Sequence, residues 1–151
     1  MENKLEAGSR PVRDVMTPNP ATVSEKDSIK RAAEIMKRED AGVVPVTEGK
    51  KIIGIVTDRD IVVRLVAEGK DPNNARVNEA MSRKVRTVKD DTPVNEVLDL
   101  MSREQIRRVP VVNQNNELVG IVSIGDISTR SEEATKVGKA VEEISEGRPN
   151  N

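Results

Sequence analysis

Gly54-Ile55-Val56-Thr57-Asp58-Arg59-Asp60 and Gly120-Ile121-Val122-Ser123-Ile124-Gly125-Asp126 follow one plan: glycine, two β-branched residues, a hydroxyl, two variable positions and aspartate. Sliding the chain on itself by 65 residues aligns Met16 with Met81, Thr22-Val23 with Thr87-Val88, Met36 with Met101, and Val44-Pro45-Val46 with Val109-Pro110-Val111. Beyond those positions the offset is 66, because the second copy has one residue more between its Val-Pro-Val step and its glycine, around the turn Asn113-Gln114-Asn115-Asn116, than the first has around Thr47-Glu48-Gly49-Lys50. The chain is a tandem duplication, and the fold follows from reading one copy.

Each copy reads as a small β-α-β-β-α unit. An extended piece, Ala21 to Val23, precedes a helix expected over about Asp27 to Arg38, with Ile29, Ala32, Ala33 and Met36 at i, i+3, i+4 and i+7. The second copy repeats this with Val94, Val97, Leu98 and Met101, behind a Thr92-Pro93 pair that predicts an N-cap and a first-turn proline. Two β-branched runs follow each helix, Val43–Val46 with Ile52–Val56 and Val109–Val112 with Leu118–Val122, each pair predicting an antiparallel hairpin. After the first motif, Ile61, Val62, Leu65 and Val66 predict an apolar helix side ending at a Gly69 cap. The expected division is a flexible start at 1–10, repeat 1 at 11–68, a linker at 69–78 and repeat 2 at 79–130. An amphipathic helix with Val137, Ala140, Val141 and Ile144 is expected over 131–146, and a flexible tail over 147–151.

Composition restricts the chemistry. The 151 residues carry a net charge of −1, which gives no electrostatic bias toward nucleic acid or an anionic membrane. Without a long apolar run or an N-terminal hydrophobic stretch, a cytoplasmic protein is expected, and zero cysteines agree with that compartment. His, Phe, Tyr and Trp are absent as well. That loss reads either as a deliberately simplified or reconstructed sequence, or as a natural chain rich in Val, Ile, Ala and Met. In both cases His- or Cys-based triads, imidazole or thiolate metal sites and aromatic stacking of bases are excluded from this chain.

The ordered set Thr-Val, helix, Val-Pro-Val and Gly-Ile-Val-[Thr/Ser]-x-x-Asp, present twice, resembles the cystathionine-β-synthase (CBS) domain. Two in tandem are similar to a CBS pair, or Bateman module, and the resemblance covers roughly residues 11 to 130. It implies an α+β fold of two tandem CBS repeats packed as one pseudo-two-fold module. It further implies clefts between the two sheets that hold adenosine-containing ligands: AMP, ADP or ATP, in some members S-adenosylmethionine or NAD. A homodimer, a client protein and no required cofactor are implied too, with Mg²⁺ accompanying ATP.

The same resemblance assigns roles. Asp60 and Asp126 match the position that binds ribose; a carboxylate accepting both hydroxyls makes two charge-assisted hydrogen bonds of about 1.5–3 kcal/mol each. The competing reading is an aspartate capping the helix that starts there. Thr57 and Ser123 match the hydroxyl that reaches ligand phosphate, against a local turn bond to the backbone. Thr22-Val23 and Thr87-Val88 match the segment beside the purine, and Val44-Pro45 and Val109-Pro110 match the adenine-lining step, where an aliphatic grip replaces stacking. For these four the alternatives are an exposed strand threonine and ordinary core packing with an edge-strand proline.

The copies differ at Gln105-Ile106-Arg107-Arg108, where the first has Asp40-Ala41-Gly42-Val43. A guanidinium suits phosphate, and strand alternation sends Arg107 and Arg108 to opposite faces, so only one points at a ligand; Arg108 is favoured. A solvated arginine or a dimer-interface ion pair is the other reading. Two unequal sites follow, the better phosphate site being the one with the arginine. The family often has histidine near Glu104, which this chain lacks. Three function classes emerge: an adenosine-ligand sensor, a ligand-free dimerisation scaffold, and, ranked last for want of a P-loop or a glycine-rich dinucleotide fingerprint, an enzyme.

Overall fold

The computed structural model describes residues 8–130 together with Val141, Glu143 and Ile144. The elements are β1 (Thr17–Pro18), α1 (Ile29–Glu39), β2 (Val43–Glu48), β3 (Lys51–Thr57), α2 (Asp58–Ile61), β4 (Val88–Lys89), α3 (Val94–Glu104), β5 (Arg108–Val112), β6 (Leu118–Ser123) and α4 (Ile124–Arg130). The class is α+β, and both predicted hairpins form: β2 with β3, and β5 with β6, antiparallel. Their registers match across the repeats, Val43 opposite Thr57 and Arg108 opposite Ser123, each with a bulge near the turn.

Two compact units result, and their composition departs from the chain order of the repeats. The first unit is Pro20–Val85; the second combines the N-terminal segment up to Asn19 with everything from Arg86 on. The segment leading into repeat 1 therefore docks on repeat 2, and the one leading into repeat 2 docks on repeat 1. In the second unit Val12 N donates to Thr92 O (2.8 Å), Arg13 N to Asp90 O (3.0 Å) and Val94 N to Arg10 O (2.9 Å), while Thr17 pairs with Ile121. The first unit repeats every step: Val77 N to Asp27 O (2.8 Å), Asn78 N to Glu25 O (2.9 Å), Ile29 N to Ala75 O (3.0 Å), and Ser82 bridged to Ile55. Residues 69–78, expected as a linker, thus include core: Ala75 is buried and Val77 fully so, heading a 3-10 turn, Val77–Glu79. The Arg76 N–H, with Lys70 behind it, holds the Glu79 carboxyl below its usual range. Gly8 and Ser9 likewise form a 3-10 turn within the stretch expected to be flexible.

Each unit has one apolar cluster. That of the first holds Val23, Ile29, Ala32, Ile35, Val44, Val46, Val56 and Leu65; that of the second holds Val12, Val15, Val94, Val97, Leu98, Met101, Val109 and Val122. The predicted face of α3 is buried residue for residue. On α1 the outcome differs, since Ala33 is exposed and Ile35 is buried in its place. Ser28 caps α1, its Oγ accepting from Arg31 N at 3.2 Å, but α3 has Pro93 at the N-cap with no side-chain bond. Val94 N there donates to Arg10 O just as Ile29 N donates to Ala75 O at α1, and Thr92 is not the cap the sequence predicts.

The predicted apolar side after the first motif is largely unburied. The chain passes from α2 into a π-turn, Val62–Val66, closed by Ala67 N donating to Val62 O at 2.8 Å. The wider turn buries Leu65 and leaves Val62 and Val66 each 56% and Val63 48% exposed. Gly69 does end this stretch, at φ +75°, a conformation costly for any residue with a Cβ. Of the predicted C-terminal helix only Val141, Glu143 and Ile144 are described; they are helical, and Ile144 is buried in the second cluster. The rest of that helix and the tail lie outside the described residues.

The duplicated glycines face the exchanged segments. A Cβ on Gly54 would lie 2.5 Å from Ser82 O, a backbone atom held by the Ile55 bridge, whereas one on Gly120 would meet the Met16 side chain. Overpacking against fixed backbone costs more than against a flexible thioether. Gly54→Ala is expected to destabilise by about 1–3 kcal/mol and Gly120→Ala by less, read from thermal melts of the two variants; the reverse order would contradict the packing described.

Candidate ligand site

Both motifs end a strand and start a helix with the same reciprocal pair of hydrogen bonds. Asp60 N donates to Thr57 Oγ1 (3.0 Å) and Thr57 N to Asp60 Oδ2 (3.1 Å). Asp126 N donates to Ser123 Oγ (2.9 Å) and Ser123 N to Asp126 Oδ2 (3.0 Å). These are reciprocal capping boxes, with the hydroxyl at the N-cap and the aspartate at the third helical position. The local readings of the hydroxyl and of the carboxylate are thus both realised, with one change: the aspartate closes the box and is not itself the N-cap.

The boxes leave capacity unspent. Each hydroxyl accepts one bond and keeps its own hydrogen for an outside acceptor. Asp60 Oδ1 stands 3.9 Å from Arg64 Nε, in a side chain 20% exposed. Asp126 Oδ1 has no hydrogen bond or ion pair among the described residues. All four residues are half-buried, so each unit presents a fixed, partly desolvated hydroxyl and carboxylate side by side.

The other candidates divide. Arg108 opens β5 opposite Ser123, and directly opposed residues share a face, so Arg108 lies on the hydroxyl's side of the sheet. Arg107 precedes the strand and uses its carbonyl to accept from Ile124 N at 2.9 Å. Both arginines are exposed, with no ion pair or hydrogen bond from either guanidinium among the described residues. Val44 and Val109 belong to the apolar clusters, as the core-packing reading expects; Pro45 and Pro110, one residue on, are buried on the other side of the strand. Pro110 is not at an edge, for β5 is interior in the order β1-β6-β5-β4. Its flanking strand β4 is two residues long and begins opposite Val111, so little ladder is lost to the missing N–H.

Val23 N donates to Pro45 O (3.1 Å) and Thr47 N to Val23 O (2.9 Å), which fixes Thr22-Val23 beside the Val-Pro step; Val88 pairs with Val111 in the same sense. Thr22 and Thr87 are half-buried. A cavity of about 550 Å³ in the first unit is lined by Thr22, Val23, Lys26, Asp27, Thr47 and Glu48 among others. It gathers Thr22 and Val23 but not Thr57 or Asp60, which sit at the opposite end of the hairpin. Sequence reading passed over Asp58: its Oδ1 accepts from Arg59 N at 2.8 Å, and its difference from Ile124 was visible in the repeat alignment.

Comparison with known proteins fits this architecture. The CBS domain family model matches residues 12–67 and again 77–133, and the chain belongs to the CBS domain family with two tandem copies. YlbB, an uncharacterized protein of Bacillus subtilis, is 40% identical over 138 residues, covering 90% of this chain and 92% of its own. The crystal structure of Hypoxic Response Protein I with two coordinated zinc ions superposes with a TM-score of 0.72 at 35% identity, over 79% of this chain and 97% of that one. CBSX2, solved in complex with AMP, superposes at 0.70 over 80% of this chain and 94% of its own; at 24% identity that likeness is one of fold. This chain has neither His nor Cys, and among the described residues no three acidic side chains cluster as a metal-ligand set. No helix of the described residues is long and apolar enough to cross a membrane.

Proposed function

We propose that this chain is a non-catalytic regulatory module, assembled as a homodimer, that binds an adenosine-containing ligand such as AMP, ADP or ATP and passes its occupancy to a client protein. The observation that carries the reading is the duplicated pair of half-buried hydroxyl and carboxylate, Thr57 with Asp60 and Ser123 with Asp126, each with capacity outside its capping box. In this reading the carboxylates accept the ribose hydroxyls, and Thr57, Ser123 and Arg108 meet phosphate, with Arg107 turned away. Thr22-Val23, Thr87-Val88 and the Val-Pro steps border the base. The AMP-bound neighbour adds that this fold can house an adenine nucleotide. Binding would act by favouring one shape of the module over others.

One observation favours the scaffold reading: the capping boxes by themselves account for the hydroxyl and the aspartate. Calorimetric titration with AMP, ADP, ATP with Mg²⁺, and S-adenosylmethionine separates the two, since the chain has no Trp or Tyr to report binding by fluorescence. Saturable heat with a dissociation constant on the order of micromolar for one of them is expected. Flat traces for all four would leave the scaffold.

A further inference from the structure

The two helix starts differ at one donor. At the start of α2 every first-turn N–H is satisfied within the unit: Thr57 N by Asp60 Oδ2, Asp58 N by Gly42 O at 2.9 Å, Arg59 N by Asp58 Oδ1 at 2.8 Å, and Asp60 N by Thr57 Oγ1. At the start of α4 three of the four bonds recur, to Asp126 Oδ2, Arg107 O and Ser123 Oγ. Gly125 N, the counterpart of Arg59 N, has no bond among the described residues, because Ile124 stands where Asp58 stands. The replacement is paired with another. The Asp58 carboxylate packs so closely on Gly42 that a Cβ there would lie 2.8 Å from Oδ2, and the residue matching Gly42 in the second repeat is Arg107.

The charges beside the two hydroxyls are accordingly opposed. Thr57 has Asp58 and Asp60 for neighbours. Arg64 is engaged by Asp60 and by the carbonyls of Ala80 and Met81 at 3.2 and 3.1 Å, which leaves Arg59 as the nearby cation. Ser123 has one carboxylate, Asp126, against Arg108, which opens β5 directly opposite it. A phosphate brought to Thr57 would meet a fixed carboxylate on the adjacent residue, and like charges a few ångströms apart repel by about 1 kcal/mol or more even when well screened.

We propose that Asp58 is a specificity-determining residue of the first repeat, whose carboxylate takes the place of a ligand phosphate and makes that site select neutral adenosine-bearing molecules over phosphorylated ones. This rests on the adenosine-ligand reading above and revises one part of it: phosphate is met at Ser123 and Arg108 of the second repeat, and at Thr57 the Asp58 carboxylate stands in its place. The test uses the full chain carrying Asp126→Ala, which weakens the second site, titrated with adenosine and with AMP with and without Asp58→Asn. Asparagine keeps an acceptor for Arg59 N and removes only the charge. Adenosine is expected to bind both proteins alike, while the affinity for AMP relative to adenosine rises about tenfold with Asp58→Asn. Adenosine heat with an unchanged ratio would overturn the role of Asp58 and leave the adenosine reading standing. No binding of adenosine to either protein would remove both.

Discussion

Asp126→Ala is expected to weaken AMP binding by about 1–3 kcal/mol, roughly ten- to hundred-fold, through loss of charge-assisted hydrogen bonds to the ribose. The same change opens a capping box, because Asp126 Oδ2 accepts from Ser123 N at 3.0 Å, and costs on the order of 1 kcal/mol of stability. Asp126→Asn separates the two effects. Its amide oxygen can close the box, so the melting temperature should hold while part of the affinity is still lost. Calorimetry and a thermal melt on both variants check this. Affinity that follows stability in both, or that changes in neither, would reduce Asp126 to a helix cap.

Removing residues 1–18 is expected to unfold the unit built on repeat 2 while sparing the hairpin of repeat 1. Val12 and Val15 are fully buried in the cluster with Val94, Leu98 and Met101. Two buried valines contribute about 1.5–3 kcal/mol each, and the backbone bonds to Thr92, Asp90 and Val94 are lost with them. Against a stability of about 5–15 kcal/mol typical of a domain, that is a large share. Hydrogen exchange of the truncated chain should show protection lost in α3, β5 and β6 and kept in α1, β2 and β3. Loss confined to α1 and its hairpin would contradict the exchanged arrangement.

Much of the fold was legible because a duplicated pattern reports each element twice. Val94, Val97, Leu98 and Met101 gave the buried face of α3 directly, and both hairpins formed within one or two residues of their predicted ends. What stayed hidden was non-local. Nothing in residues 10–18 or 75–82 says which repeat they join, since the choice lies in the bonds of Val12 and Val77 to distant carbonyls. The π-turn at Val62–Val66 escaped because helical periodicity assumes 3.6 residues per turn, which would have buried Val62 and Val66 beside Leu65. At the candidate site the spacing of Thr57 to Asp60 and of Ser123 to Asp126 is also that of a capping box, so sequence could name the residues but not apportion their oxygens. Asp58 was passed over because it sits at a variable position of the motif, and its weight comes from closeness to Gly42.

The most direct measurement is a calorimetric cycle in which the unaltered chain and the Asp60→Ala/Asp126→Ala chain are each titrated with AMP and with its 2′,3′-dideoxy analogue. If the two carboxylates hold the ribose, removing the hydroxyls costs the unaltered chain about ten- to hundred-fold in affinity and costs the variant little. An equal penalty in both proteins, or no binding of AMP to the unaltered chain, would contradict the ribose assignment at the centre of the proposed function.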